Sequence, residues 1–314
     1  MDTTKAAVIG MGKVGATTAY TLMLESEVDE IVLIDINKEK AKGEELDLNH
    51  GLAFAENMKI YSGDYKDIEG ADFVIITAGV AQKPGETRIE LAGKNYKILE
   101  QILNDCMHYN KDAIYIIVSN PVDVLTLAAK EITGLPRTQI FGSGTNLDSS
   151  RYRYLISQEY GCSPSEVNAY ILGEHGDSEF PLKSQISLGG IHIGSISDMP
   201  ELNFEDLYKK TKNAAYEVIE KKEATYYAIA LSVTDIVNDI MSDQDSIKPL
   251  SIVLEGEYGQ HGVALSVPVV VGSGGIKRIL EIDMTVQEQQ LLKDSAKKLQ
   301  KVYEDITSNA PQDS

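Results

Sequence analysis

The residue best suited to move a proton is His175, in the segment Leu172-Gly173-Glu174-His175-Gly176-Asp177. Imidazole is the side chain whose unperturbed charge changes near neutral pH, and glycines on both sides let other groups approach it closely. His50, His108, His192 and His261 complete the histidine set; His108 falls near a helix end and His192 in a hairpin-like segment, so both have structural readings. Asp148 and Arg151 stand three residues apart in Asn146-Leu147-Asp148-Ser149-Ser150-Arg151, so on a helix they share one face. Asp148 could orient a base, and the planar fork of Arg151 could clamp a carboxylate. A surface ion pair explains the same spacing. Asn120, in Ser119-Asn120-Pro121-Val122-Asp123, offers an amide donor after a strand, and the bond before Pro121 is a candidate for cis. An Asn-Pro turn is the ordinary alternative.

A second group of residues points to a dinucleotide. Gly10-Met11-Gly12-Lys13-Val14-Gly15 follows an apolar run and opens a helical pattern. Glycines there permit a tight turn and let backbone N–H groups approach a pyrophosphate at the helix N-terminus. Asp35 lies 20 residues beyond Gly15, at the end of the second apolar run. A carboxylate at that point accepts from ribose hydroxyls and repels a 2′-phosphate, which favours NAD over NADP. Thr77-Ala78-Gly79 ends another apolar run and leads into the polar loop Val80-Ala81-Gln82-Lys83-Pro84-Gly85-Glu86-Thr87-Arg88. Such a loop, beyond the carboxyl end of a strand, suits a lid. Taken alone, Arg88 reads as a solvated residue ahead of a helix.

Elements must position these groups. Apolar runs at Lys5–Ile9, Glu30–Asp35, Met58–Ser62, Asp72–Thr77, Ala113–Val118 and Gln139–Phe141 alternate with helical patterns at Val14–Glu25, Lys38–Leu48, Ile89–His108 and Val122–Ile132. That alternation predicts a doubly wound parallel sheet of the Rossmann type. The second half predicts an α+β domain. Its strands fall at Val167–Leu172, Ile186–Ile196, Ser251–Leu254 and Val263–Val271. A long helical stretch, Phe204–Met241, is broken near Lys222, and a closing helix spans Thr285–Ile306. The boundary falls near Gly142–Thr145, giving a cofactor domain at 1–144 and a substrate domain at 145–314.

Composition narrows the class. The chain has 314 residues, room for roughly two domains, and its 43% hydrophobic content excludes extensive disorder. A net charge of −19 disfavours nucleic acid and anionic membranes, so an anionic substrate needs arginines supplied locally. No apolar run is long enough to span a bilayer, and the first residues lack the pattern of a signal peptide. Cys106 and Cys162 form neither a metal-type pair nor a disulfide framework, which fits a reducing cytoplasm. No ligand spacing supports a metal site.

Together GMGKVG, VLID, AGVAQKPGETR, SNPVDVL, NLDSSRYR and GEHGDSEFP, in this order, resemble the L-lactate and L-malate dehydrogenase family over almost the whole chain. Within it they look most like the bacterial L-lactate branch. The resemblance implies NAD as cofactor, a small 2-hydroxy acid as substrate, and assembly as a homotetramer in the cytoplasm. It implies that His175 exchanges the proton, paired with Asp148, that Arg151 binds the carboxylate, and that Arg88 polarises the carbonyl from the lid. Asn120 and Thr225 are then substrate contacts, although Glu223 replaces the glycine usual just before Thr225. The cofactor contacts implied are Gly10, Gly12, Lys13, Val14, Gly15, Asp35, Thr77, Ala78, Gly79, Val118 and Asn120. Gln82 selects the substrate. Malate dehydrogenases resemble this loop but carry Arg there, and a neutral Gln82 would leave the distal carboxylate of oxaloacetate without a cation. Many bacterial relatives also respond to fructose 1,6-bisphosphate through an arginine and a histidine. Arg153 matches the arginine, but the histidine position is Asn168, so weak or absent activation is expected.

Other readings stay open at this point. A dehydrogenase for a bulkier 2-oxo acid, of the 2-hydroxyisocaproate type, is opposed by the compact loop. An inert NAD-binding scaffold needs only the glycine loop and Asp35, so the retained His175, Asp148, Arg88 and Arg151 speak against it.

Overall fold

A computed structural model describes residues 3–81, 85, 87–197 and 202–308. Its first half is a parallel sheet built from β1 (Lys5–Ile9), β2 (Glu30–Ile34), β3 (Lys59–Ser62), β4 (Phe73–Ile76), β5 (Ile114–Ile117) and β6 (Ile140–Gly142). The intervening helices are α1 (Lys13–Glu25), α2 (Lys38–Gly51), α3 (Arg88–Tyr109) and α4 (Val122–Thr133). β4 and β5 are buried at every position, as strands covered on both faces must be. The strand order β3-β2-β1-β4-β5-β6 is that of a doubly wound dinucleotide fold.

The second half adds α5 (Asn146–Tyr160), the short strands β7 (Val167–Asn168), β8 (Ile171–Leu172), β9 (Phe180–Pro181), β10 (Ser187–Leu188) and β11 (Ile191–His192), then α6 (Phe204–Lys222) and α7 (Tyr227–Met241). The long strands β12 (Ser246–Glu255) and β13 (His261–Gly272), β14 (Gly275–Ile279) and α8 (Val286–Ser308) follow. The sheet does not stop where the alternating pattern stops. β12 pairs antiparallel with β6 through Ser251 and Gly142, and β13 and β14 extend the sheet to nine strands. Gly144 permits this join: a Cβ there would lie 2.5 Å from the Ser251 amide nitrogen.

Two expectations are corrected in detail. Val167–Leu172 is not one strand; β7 pairs with β10 and β8 with β9, in separate sheets. Ile186–Ile196 is a two-residue hairpin, turned at Gly189 and Gly190, followed by a 3₁₀ turn. β14, rich in charge and glycine, was not expected at all. The helical stretch is broken at Glu223, one residue past Lys222. No described helix is long and apolar enough to cross a membrane, and both cysteines are free thiols.

Candidate active site

The carboxyl ends of the parallel strands carry the cofactor residues. After β1 the chain turns at Gly10, whose φ is +102°, and a Cβ there would lie 2.6 Å from the backbone of Ala78. A Cβ on Gly15 would meet the Gly10 carbonyl oxygen at 1.9 Å. Thr77 seals this contact by donating its hydroxyl to the same carbonyl at 2.7 Å. Gly12, by contrast, faces open space, and as N-cap of α1 it leaves the first amides without a side-chain partner. That is the cradle a pyrophosphate fits. Val14 packs half-buried behind it. Asp35 stands at the end of β2, where it accepts the Met11 amide at 2.6 Å and the Asn37 amide at 2.8 Å. It therefore holds the glycine loop as well as offering lone pairs to a ribose. Beside it Ile36 is fully exposed, an apolar surface suited to a flat base and one that sequence reasoning missed.

The ends of β4 and β5 are locked together. Asn95 of α3 accepts the Val80 amide at 2.8 Å and donates to the Asn120 carbonyl at 2.7 Å. Ser119 donates to the Ala78 carbonyl at 2.6 Å, and Val118 is buried. Gly79 lies against Asn95: a Cβ there would approach its side chain to 3.2 Å. The Asn120–Pro121 bond is cis, and Asn120 is exposed at the sheet edge.

His175 follows β8 on a turn that needs glycine. Gly173 has a φ of +92°, and its open backbone bridges to Ser266 of β13. His175 Nδ1 lies 2.6 Å from one oxygen of Asp148; with the proton on Nδ1, the ring donates to the carboxylate. The other Asp148 oxygen accepts from Arg151 at 2.8 Å. Asp148 is buried, and burial alone would raise its carboxyl; His175 and Arg151 outweigh that and hold it below the ordinary range. Burial likewise opposes the charged form of His175, but Asp148 reverses this and lifts the imidazole to about 9. A second buried acid, Asp123 of α4, accepts the His175 backbone amide at 2.7 Å and the Ser251 hydroxyl at 2.6 Å. Nothing in the sequence marked Asp123 or Ser251, because their partnership exists only once β12 docks on β6.

Of the remaining residues, Arg88 reaches this centre. Arg88 begins α3 behind a capping box of Thr87 and Glu90. It pairs with Asp177, two residues past His175, and donates to the Tyr216 hydroxyl of α6 at 3.2 Å. Glu223 interrupts α6 and α7 at a φ of +72°, and Lys13 of the glycine loop pairs with it at 2.7 Å. Thr225, half-buried, lies in that same break. Gln82 lies outside the described residues. Neither Arg153 nor Asn168 touches the His175 group in any described contact: Arg153 donates to the Ala169 carbonyl at 3.2 Å and lies over the Tyr170 ring, while Asn168 is exposed on β7.

The cluster also contains Glu179, which sequence reasoning passed over. One nitrogen of His175 and one carboxylate oxygen each from Asp148 and Glu179 lie within 4.8 Å of one another. These are metal-type donors, but both Asp148 oxygens are already engaged, so the trio is better suited to holding protons than a cation. Overall the site offers a carboxylate clamp, an acid/base on a fixed ring and a dinucleotide cradle.

Both halves of the chain resemble known proteins. Residues 4–142 match the lactate/malate dehydrogenase NAD binding domain and residues 145–310 the lactate/malate dehydrogenase alpha/beta C-terminal domain. An L-lactate dehydrogenase of Clostridium botulinum (strain Langeland) is 48% identical over 303 residues, covering 95% of both chains. L-lactate dehydrogenase 1 of Clostridium acetobutylicum is 46% identical, over 96% of this chain and 98% of its own. The crystal structure of a lactate dehydrogenase from a Medee basin deep-sea metagenome library superposes with a TM-score of 0.94 at 40% identity, covering 98% of this chain and 100% of its own. That of the minor L-lactate dehydrogenase of Enterococcus mundtii gives 0.93 at 39%, covering 99% of each.

Proposed function

This chain belongs to the lactate/malate dehydrogenase family, and we propose that it interconverts pyruvate and L-lactate with NAD as the hydride carrier. The observation that carries this reading is Asp148, held between Arg151 and His175. Arg151 grips the substrate carboxylate with the nitrogens that Asp148 leaves free, and so sets the 2-oxo carbon beside the imidazole. Asp148 fixes the ring so that Nε2 faces the substrate and keeps the protonated form populated at neutral pH. His175 then delivers its proton to the carbonyl oxygen during reduction and recovers it during oxidation. When bound, NADH supplies the hydride. Arg88, at the start of α3, polarises the carbonyl, an effect that strengthens as water leaves.

The cofactor groups come from residues 1–144, and the proton and carboxylate chemistry from residues 145–314. The names of the relatives support lactate over malate, as does Gln82, which brings no charge to meet a second carboxylate. The assembly we propose is a homotetramer acting in the cytoplasm, and sedimentation at working concentration tests the first part. The deciding experiment for the reaction is NADH oxidation with a panel of 2-oxo acids. Pyruvate should be the best substrate; a clear preference for oxaloacetate or a branched 2-oxo acid overturns the reading.

A further inference from the structure

Glu179 is a carboxyl group placed where a second negative charge is unwelcome. It follows the catalytic turn, just before β9, with only 6% of its surface exposed. Its Oε1 is sealed from solvent and has no hydrogen-bond partner. An ionised carboxylate so placed lacks the donors that normally make burial tolerable.

The surrounding charges can be counted. From α5 come the Asp148 carboxylate and the Arg151 guanidinium, and from the catalytic turn comes His175. α6 contributes Tyr208, whose hydroxyl is spent on the Glu179 carbonyl, and Lys212, whose ammonium donates to the Asp177 carbonyl. α4 supplies Asp123 behind the His175 backbone. On its far side Glu179 borders a cavity with Lys183, His192 and Glu288; Lys183 is paired with Glu205, and Glu288 accepts from Ser184 and Thr285. In the innermost group, protonated His175 and Arg151 exceed Asp148 by one positive charge. An incoming carboxylate balances that charge only if Glu179 is neutral. If Glu179 is ionised, the filled site carries a net buried negative charge.

We propose that Glu179 is a positioning residue whose proton licenses substrate binding: the 2-oxo acid carboxylate is accepted on Arg151 while Glu179 is a neutral acid and is rejected once it ionises. This rests on the pyruvate reading above. Burial, reinforced by Asp148, pushes Glu179 up to about 8, so its ionisation falls in the alkaline range.

The test is the pH dependence of kcat and of KM for pyruvate in the wild type and in Glu179→Gln and Glu179→Met. Both replacements are permanently neutral. Ionisation of either Glu179 or His175 removes the competent form of the wild type; the variants keep only the His175 route. The alkaline rise in KM should therefore move to higher pH in both variants, giving a KM several-fold below wild type near pH 9. A limb that stays in place overturns the proposal. So does a limb that moves down, which would mean that the Glu179 carboxylate serves to hold the His175 proton. Should neither variant fold, the wild type still decides. Binding of oxamate, an unreactive isostere of pyruvate, to the enzyme–NADH complex near pH 9 should take up more than one proton per site, read by calorimetry in buffers of different ionisation enthalpy. Uptake of one proton or fewer overturns the proposal. A wild type that reduces pyruvate at no pH defeats the parent reading and this one together; normal pyruvate reduction with an unmoved limb defeats this one alone.

Discussion

The Asp123 carboxylate accepts the backbone N–H of His175 at 2.7 Å, joining α4 of the dinucleotide half to the catalytic turn of the other half. Its second oxygen takes the Ser251 hydroxyl, so one buried acid holds the turn and the strand that carries the sheet across. Burial pushes Asp123 up to about 6, although both donors oppose the rise. We expect Asp123→Ala to leave two buried donors unpaired and to cost about 3–6 kcal/mol, at about 1.5–3 for each lost charged hydrogen bond. Turnover should fall with it, because the His175 ring loses its backbone anchor. Urea unfolding and kcat check both; a variant of wild-type stability and rate would show that water replaces the carboxylate.

His175→Ala and Arg151→Lys should each cripple turnover while NADH still binds. The first removes acid–base chemistry, worth about 10²–10⁴-fold. The second keeps the charge but loses the planar fork that serves Asp148 and the substrate together. Fluorescence titration with NADH separates binding from chemistry. The pH sign follows from His175, raised in the folded state: its contribution to stability is whole below the unfolded imidazole value of about 6.5 and is lost as pH rises through about 9. Asp148→Asn should abolish most of that alkaline loss, as read from unfolding midpoints at neutral and alkaline pH.

Gln82→Arg should raise activity on oxaloacetate and lower it on pyruvate. The new guanidinium pairs with a distal carboxylate and is left unpaired beside a methyl group. The ratio of the two kcat/KM values is the measurement. No movement of that ratio would place Gln82 outside the pocket.

Glu223→Gly tests a strained position. Glu223 has a φ of +72°, in the region that glycine occupies without steric cost. Its ion pair with Lys13 is exposed, and such pairs contribute little. Relief of strain should therefore outweigh the lost pair, and we expect stabilisation of up to about 1 kcal/mol. Destabilisation by denaturant melts would mean that the Lys13 contact matters more than the backbone.

Glu223 also shows what the sequence could and could not reveal. The break in the helical stretch near Lys222 was legible from its pattern, but the left-handed backbone that Glu223 adopts there was not, because glutamate gives no local signal for it. The glycine loop, Asp35 and the triad of His175, Asp148 and Arg151 were legible because each sits in a short motif whose spacing encodes its geometry. Asp123, Ser251 and Glu179 were not. Their roles arise from contacts across the sheet join or from burial, neither of which leaves a local pattern. β14 escaped for a related reason: its strand character comes from pairing with β13, not from its own residues.

The last expectation concerns Arg153 and Asn168. Arg153 is already engaged, its Nε with the Ala169 carbonyl and its guanidinium with the Tyr170 ring. Asn168 is exposed and carries no charge, so it can give a phosphate only a neutral hydrogen bond, roughly half as strong as a charge-assisted one. A chain with a net charge of −19 adds a background that repels a dianion. An activator acts only through its differential affinity for two states, so a weak contact means weak coupling. Pyruvate saturation curves with and without millimolar fructose 1,6-bisphosphate near neutral pH should therefore nearly coincide. Asn168→His should make the response larger, because it restores a cation beside Arg153. A large fall in KM for the unaltered chain would show that Arg153 binds the phosphate without a charged partner at 168.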